Sequence, residues 1–455
     1  MIASVAAFTI LVRRESHATL AIAWFACTAP VSAFTGRVPF AVGFAAGLWT
    51  LVGASRKRRW RFMMGLAGGA GTALCSPVAA LFLALVCTAW LVDSWWPPSR
   101  SPQGSGWLRS LMWRNSPPGA LAAIAGSATV VAGLMVVFPE GGVFPFPPTA
   151  LAPALGAVVL GTILVRKRNA VTIGLALFAI VCAVAFVVDS AAGANVVRLG
   201  TMTIGPVVAL YLGDNKTGIA TRWLVVFVPL CLWWAWWPVH FSTDNRHDRS
   251  ATPQYFAPLL DALAKREAVH GFERIEVVPV LTHSEAWQVG GQRPIARGWE
   301  RQIDRGKNSV LYDKKLTADQ FHTWLLDSAV GLVALPITAK IDEGGVPEAR
   351  LLSAPPDYLS EVWRNGDWRL YSVNDATPLV TGPAVISSVD AGHLVLHTIG
   401  PGEVTVRFVW ARWLGVASGP ACNFQRGAGD SIRFTATGPG DVRIESMVVG
   451  ASASC

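Results

Sequence analysis

The sequence predicts a polytopic α-helical membrane domain of about nine to ten spans, followed by an exported small α/β module and a C-terminal β-sandwich. Three observations predict it. Apolar runs rich in Ala, Val, Leu, Phe and Gly fill the first half, a polar linker follows them, and the texture then changes from alternating strands and helices to short β-rich runs. The acidic residues divide at the same place. Residues 1–240 hold only five (Glu15, Asp93, Glu140, Asp189 and Asp214) against 17 Lys and Arg, whereas residues 241–455 hold 24 against 21. The excess of +9 over the 455-residue chain therefore belongs to the apolar half, which argues against a nucleic-acid partner.

The apolar runs fall at 17–35, 38–54, 62–76, 77–93, 119–138, 149–165, 170–188, 201–214 and 222–239. A bilayer core of roughly 30 Å, at 1.5 Å per residue, sets the length they must reach. Dividing 62–93 at Ser76–Pro77 makes the charges between runs alternate. Arg13, Arg14, "RKRRWR" at 56–61, Arg100, Arg109, Arg114, "RKR" at 166–168, Lys216 and Arg222 then share one side. The other side receives "GRVPF" at 36–40, "FPEGGVFPFPP" at 138–148 and "DSAAGANVVRLG" at 189–200, with only Arg37 and Arg198. By the positive-inside rule this predicts a multi-pass protein of the cytoplasmic membrane, with everything after His240 outside. The opening "MIASVAAFTILV" is a mostly apolar stretch of 12 residues, too short to span, and has no basic n-region or cleavage site. Two readings stand for it: a half-inserted helix, or the interior of a longer membrane domain.

The expected divisions are a helical domain at 1–240, an α/β domain at 241–380 and a sandwich at 381–455. "WWAWWPVHF" at 233–241 is an aromatic belt at the last membrane exit. "YFAPLLDALAKREAV" at 255–269 has apolar residues at helical spacing. "RIEVVPVL" (274–281), "SVLYD" (309–313) and "GLVALPI" (331–337) read as strands around a helix at 316–329, which Thr317 and Gln320 open as a capping box. "PPDYLSEVW" reads as a short helix before the strand "WRLYSV" at 368–373. After about 383, "AVISSVD", "HLVLHTI", "EVTVRFVW", "SIRFTAT" and "DVRIESMVV" read as a sandwich of meander type. Cys422 and Cys455 are the only cysteines of that half and are expected to pair outside the membrane. No CxxC or His/Cys cluster has metal spacing, so no metal is expected from the residues themselves.

Catalytic signatures are scarce: the chain has no P-loop, GxSxG or HExxH. Ionisable groups at the membrane boundary stand out instead. Asp189, Asn195 and Arg198 share one expected external loop and Arg37 another, and an arginine there suits capture of a lipid phosphate. Snorkelling from a helix end is the bland alternative for Arg198. In "ARGWERQIDRGKN" (296–308), a helix over 297–305 would pair Arg297 with Glu300 and Arg301 with Asp304 at i,i+3, and turn Trp299 and Ile303 inward. Such local pairing reads as structural, with sugar or phosphate binding as the alternative.

"FTGRVPFAVGFAAGLWTLVGASRKRRWR" with "SPVAALFLALV", "GANVVRLGTMTIGPVVALYL" at 193–212, and "ARGWERQID", "WLLDSAVGLVALP" and "WRLYSV" further on carry a resemblance. The chain resembles bacterial polytopic proteins related to the GT-C glycosyltransferases, and within them the YfhO-like and actinobacterial "6-pyruvoyl-tetrahydropterin-synthase-related" membrane proteins. The resemblance covers most of the chain with loose motifs. It implies a GT-C-like membrane fold and a transferase that takes a polyprenyl-phosphate-linked sugar. The acceptor would be an envelope glycan, lipid or protein, and membrane lipids would be partners. A divalent metal enters by resemblance only; otherwise the cofactor is unknown. The class places an acidic base or metal ligand in its first external loop. No position here matches that loop, so the chain reads as N-terminally shortened, and no catalytic residue is carried over. The runner-up is a non-enzymatic transporter, flippase-like carrier or envelope-assembly scaffold. Paired mid-bilayer charges and inverted repeats, which a transporter would show, are not seen.

Overall fold

The computed structural model describes residues 1–15, 17–55, 60–95, 117–139, 141–165, 170–212, 218–298, 301–390 and 392–447. The chain divides into two compact units, Met1–Thr243 and Asp244–Cys455.

The regular elements among the described residues of the first unit are helices: α1 (Ile2–Val12), α2 (Ala18–Thr28, continued after a break by Val31–Phe34), α3 (Val38–Ala54), α4 (Arg61–Cys75), α5 (Pro77–Trp95), α6 (Pro117–Val137), α7 (Pro148–Val165), α8 (Ala170–Val187), α9 (Val197–Ala209) and α10 (Gly218–Arg246), whose last turn enters the second unit. Each expected apolar run is largely helical over its described residues, although 17–35 is broken at Ala29–Pro30 and the helix of 201–214 ends at Ala209, and the break at Ser76–Pro77 is real. Ser76 is extended (φ −165, ψ 116), and Pro77, lacking an N–H, starts the next helix where none is needed. Among the described residues five helices are long and apolar enough to cross a membrane, namely α5 to α8 and α10 from Arg222; α1 to α3 are apolar but shorter. This is the helical layout of a membrane protein. Its exposed side chains agree: Val136, Val159, Ile180 and Val187 all face outward, as lipid-facing residues do.

Helices α4 and α6 approach through small residues. A Cβ at Gly69 would lie 2.2 Å from the Ala123 carbonyl oxygen, one at Gly65 2.3 Å from that of Gly119, and one at Gly126 2.2 Å from that of Leu66. The backbones touch because these positions carry no side chain, the packing that hydrocarbon surroundings favour. Elsewhere the unit is filled by aromatics, with Phe8 stacked on Phe25 at 4.3 Å and Phe40 edge-on to Phe82 at 5.7 Å.

In the second unit, α11 (Pro253–His270) leads to a four-stranded sheet of order β1-β2-β4-β3: β1 (Arg274–Val277), β2 (Val330–Pro336), β3 (Leu359–Arg364) and β4 (Trp368–Val373). β1 and β2 run parallel and the other pairs are antiparallel. Tyr255, Phe256, Leu259 and Leu263 of α11 cover one face. Phe321, Trp324 and Leu325 cover the other. The short helices α12 (Arg301–Lys307), α13 (Ala318–Asp327) and α14 (Val346–Leu352) lie in the connections. The Thr317–Gln320 capping box is formed in both directions.

Two expectations fail here. "SVLYD" is a 3₁₀ turn over Ser309–Tyr312, held by Leu311 in the core and the Tyr312 hydroxyl on Asp304. "PPDYLSEVW" ends in strand β3, not a helix, because β4 offers it a pairing edge.

The sandwich packs the sheet β10-β11-β8-β5 against β6-β7-β12-β9, with Leu396, Val404, Val406, Phe434, Val442 and Ile444 in the core. Its strands are β5 (Val380–Thr381), β6 (Ala384–Val389), β7 (His393–Thr398), β8 (Gly402–Val406), β9 (Leu414–Ser418), β10 (Ala421–Arg426), β11 (Ile432–Ala436) and β12 (Gly440–Ser446). The chain crosses repeatedly between sheets, so the sandwich is not a meander. β12 pairs with both β7 and β9, closing neighbours far apart in sequence. Cys422 is buried on β10; its expected pairing with Cys455 reaches outside the described residues.

Candidate functional site

The helical unit gathers three segments at one place. The Phe144 amide donates to the Ser190 carbonyl at 2.9 Å, tying the 138–147 segment to the one after α8. Gly193 (φ +38) sits so close that a Cβ would lie 1.9 Å from the Phe144 oxygen, so only glycine fits. Beyond it, buried Asn195 accepts a hydrogen bond from Arg198 and donates to the Ala191 carbonyl at 3.4 Å. The Arg198 guanidinium lies 5.5 Å over the ring of Phe40, from the start of α3. Arg37 occupies the N-cap position of α3, within range of the Arg198 charge. Among the described residues neither arginine has a carboxylate at ion-pair distance. Asp189 is exposed.

Arg37 and Arg198 each lie at the N-terminal end of a helix, where the backbone adds positive potential. An apolar cavity of 230 Å³ runs between the helices, lined by Phe44, Leu48 and Leu51 of α3, by residues of α9 from Leu199 to Val208 and by Leu210 after it; neither arginine lines it, but Leu199 follows Arg198 directly in the chain. Eleven helical steps make that wall roughly 16 Å long. Two arginines without an acid among the described residues, at the starts of two helices that go on to line an apolar cavity, suit an amphiphile with an anionic end.

The second unit holds a different polar cluster, at the end of the parallel strands where α/β sheets place their sites. Buried Arg297 donates to Asp304 (3.1 and 2.9 Å) and to Glu348 (2.5 Å), with Glu276 of β1 at 3.7 Å. Asp304 also accepts from Tyr312 (2.6 Å) and Asn308 (2.9 Å). Next to it Arg301 pairs with Asp342, whose Oδ1 lies 3.5 Å from His283; Glu285 is 3.5 Å from the other ring nitrogen. Burial lowers the His283 pKa, but hydrogen bonds and charge from Asp342 and Glu285 override it and push it up to about 9.

One of the two expected local pairs is corrected: Arg301 pairs with Asp342, 41 residues away, and not with Asp304, while Arg297 reaches partners 7 and 51 residues away, and Ile303 is 38% exposed, not inward; the expected Arg297–Glu300 pair falls outside the described residues. Burial is the physical reason: a guanidinium out of water needs several close acceptors, and an i,i+3 pair supplies one. Glu300 and Trp299 lie outside the described residues.

Three carboxylates surround Arg297, and one cation cannot neutralise them all. Burial, then the charge of Glu348, raises the Glu276 pKa; burial and Asp304 push Glu348 up to about 7 against the pull of Arg297. A proton is thus retained at the pair. The stability it gives is fully present below the unfolded glutamate value of about 4.3 and is lost as pH rises through about 7. Glu348→Gln should flatten the dependence of the melting midpoint on pH between those limits, and an unchanged slope would count against the retained proton.

No family model matches the chain, and no curated protein matches it. Among solved structures it is similar to two cryo-EM structures of the arabinofuranosyltransferase AftD from Mycobacteria. The first, of a mutant, is 14% identical with a TM-score of 0.42, covering 92% of this chain and 36% of that one. The second is 15% identical with a TM-score of 0.33, covering 89% and 35%. The chain spans about a third of the length of these structures.

Proposed function

We propose that the protein is a membrane-embedded, GT-C-type glycosyltransferase-like protein that takes a polyprenyl-phosphate-linked sugar at the outer face of the cytoplasmic membrane. One observation supports it above the rest: Arg37 and Arg198, unpaired with any acid among the described residues, stand at the N-terminal ends of α3 and α9, the two helices whose following residues from Phe44 and Leu199 line the apolar cavity. The lipid phosphate would take both guanidinium groups, Asn195 would hold Arg198 in place, and the prenyl chain would enter the cavity. The motif resemblance to GT-C proteins, and the finer one to YfhO-like and related actinobacterial membrane proteins, is sequence support for the same reading. The acceptor would be an envelope glycan or protein, met by an α/β domain at 241–380 and a sandwich at 381–455. Asp189 is proposed as a substrate contact.

The family's metal is a separate matter. Among the described residues no group of three or more His, Cys, Asp or Glu side chains could hold one. The donor set does not fit a divalent ion, and no step is derived through it.

In lipid nanodiscs, the chain should bind a polyprenyl phosphate saturably. Arg198→Gln or Arg37→Gln should weaken it about tenfold or more, the scale of a charge-assisted hydrogen bond. Unchanged affinity in the double variant would overturn the reading. The proposed orientation follows from the basic clusters around α1 to α10. Cysteines introduced after residue 250 should react with an impermeant maleimide added outside intact cells; protection there would reverse the topology.

A further inference from the structure

The second unit has an open groove of 530 Å³ between α11 and the sheet edge at β3, outside both clusters described above. Its floor depends on a break in strand pairing. Glu361 pairs with Tyr371 and Trp363 with Leu370, so Val362 is the extra residue of a bulge. Successive side chains on a regular strand point to opposite faces. Here Val362 and Trp363 both line the groove, as a bulge permits by re-aiming a side chain.

The opposite wall is the polar side of α11, with Asp261, Lys265, Arg266 and His270. Arg266 is already engaged by Glu273 at 2.5 and 3.1 Å. Among the described residues, Asp261, Lys265 and His270 make no side-chain hydrogen bond or ion pair. The groove thus offers an indole beside a free acceptor and free donors whose charges nearly cancel. A polyanion would need more cationic charge. An added peptide strand would need the regular edge that the bulge interrupts. An aromatic face with a few polar groups around it suits a neutral polyol: the ring packs against C–H groups while carboxylate, ammonium and imidazole meet hydroxyls.

We propose that this groove binds a neutral glycan segment, Trp363 serving as its platform and Asp261, Lys265 and His270 as its hydroxyl partners. As an acceptor site, it rests on the transferase reading above.

The test is binding of neutral arabinose, galactose and mannose oligosaccharides to the full chain in nanodiscs, with a heparin fragment and an extended peptide as controls. At least one neutral oligosaccharide should bind saturably. Trp363→Ala should weaken it about tenfold, a scale typical of a buried aromatic anchor. Asp261→Ala and Lys265→Ala, on the exposed side of α11, should each weaken it severalfold without changing the melting midpoint. No saturable binding, binding indifferent to all three substitutions, or preference for heparin or peptide would overturn the proposal. Arg198→Gln should leave glycan binding unchanged. An unaltered chain that binds the glycan but no polyprenyl phosphate would remove the transferase reading and leave the groove standing.

Discussion

Replacing Arg297 by alanine is expected to destabilise the second unit by about 3–5 kcal/mol, the cost of stripping one partner from a buried ion pair. The side chain is buried, and four hydrogen bonds spread its donors over Asp304, Glu348 and the Gly344 carbonyl. Without it, Glu276, Asp304 and Glu348 confront one another with nothing positive between them. Two of them must then take up protons or admit water. Arg297→Lys should rescue little, because a single ammonium cannot span carboxylates on two sides as the planar fork does. Arg301→Ala is the internal control. Its partner Asp342 keeps the Gly344 amide at 2.8 Å and His283, and the Arg301 side chain is 35% exposed, so the loss should be about 1 kcal/mol. Chemical denaturation of the three variants decides it. Similar midpoints for Arg297→Ala and Arg301→Ala would mean that the buried network contributes no more than a surface pair.

Gly69→Ala is expected to break the contact between α4 and α6, costing about 3 kcal/mol or more, the upper end for overpacking. The new methyl would lie 2.2 Å from the Ala123 carbonyl oxygen, which is backbone and cannot rotate away. Relief requires the helices to separate along the seam that Gly65 and Gly126 also form. Gly71, two residues on, has nothing within 4 Å of its would-be Cβ. Gly71→Ala should be neutral or slightly stabilising, since alanine favours helix over glycine. Thermal melts in detergent, followed by size-exclusion chromatography, would show the contrast, and equal midpoints would refute the seam.

The helices were readable because hydrocarbon length and hydrophobicity act locally, and a proline after an extended serine ends one helix and starts another. The Thr317–Gln320 cap was readable for the same reason: both partners lie within one turn. The environment of Arg297 was not. Its acceptors Glu276 and Glu348 stand 21 residues before it and 51 after it, and no period encodes that approach. One signal was present all the same. "RIEV" and "VGLVALP" are buried along their whole lengths. In strands covered on both faces, apolar residues are the rule, so Arg274 and Glu276 within such a run already required partners. Of the boundary residues, Asn195 and Arg198 are bonded to each other, with Arg37 within range of the Arg198 charge. Convergence depends on Gly193 and on Phe40 passing under Arg198, neither of which charge counting reveals.

Arg274 has a wider effect than its position on a short strand suggests. Its guanidinium donates to the carbonyls of Ser328 and Arg407 at 3.0 and 2.9 Å and to that of Ile295 at 3.4 Å, and it lies 5.7 Å over the Phe408 ring. One side chain therefore ties the first strand of the mixed sheet to the segment that leaves β8 of the sandwich. Neither layer can open without breaking bonds that the other helps to satisfy. The two layers should therefore exchange their amide hydrogens in a common opening event, as a single foldon with one protection ceiling.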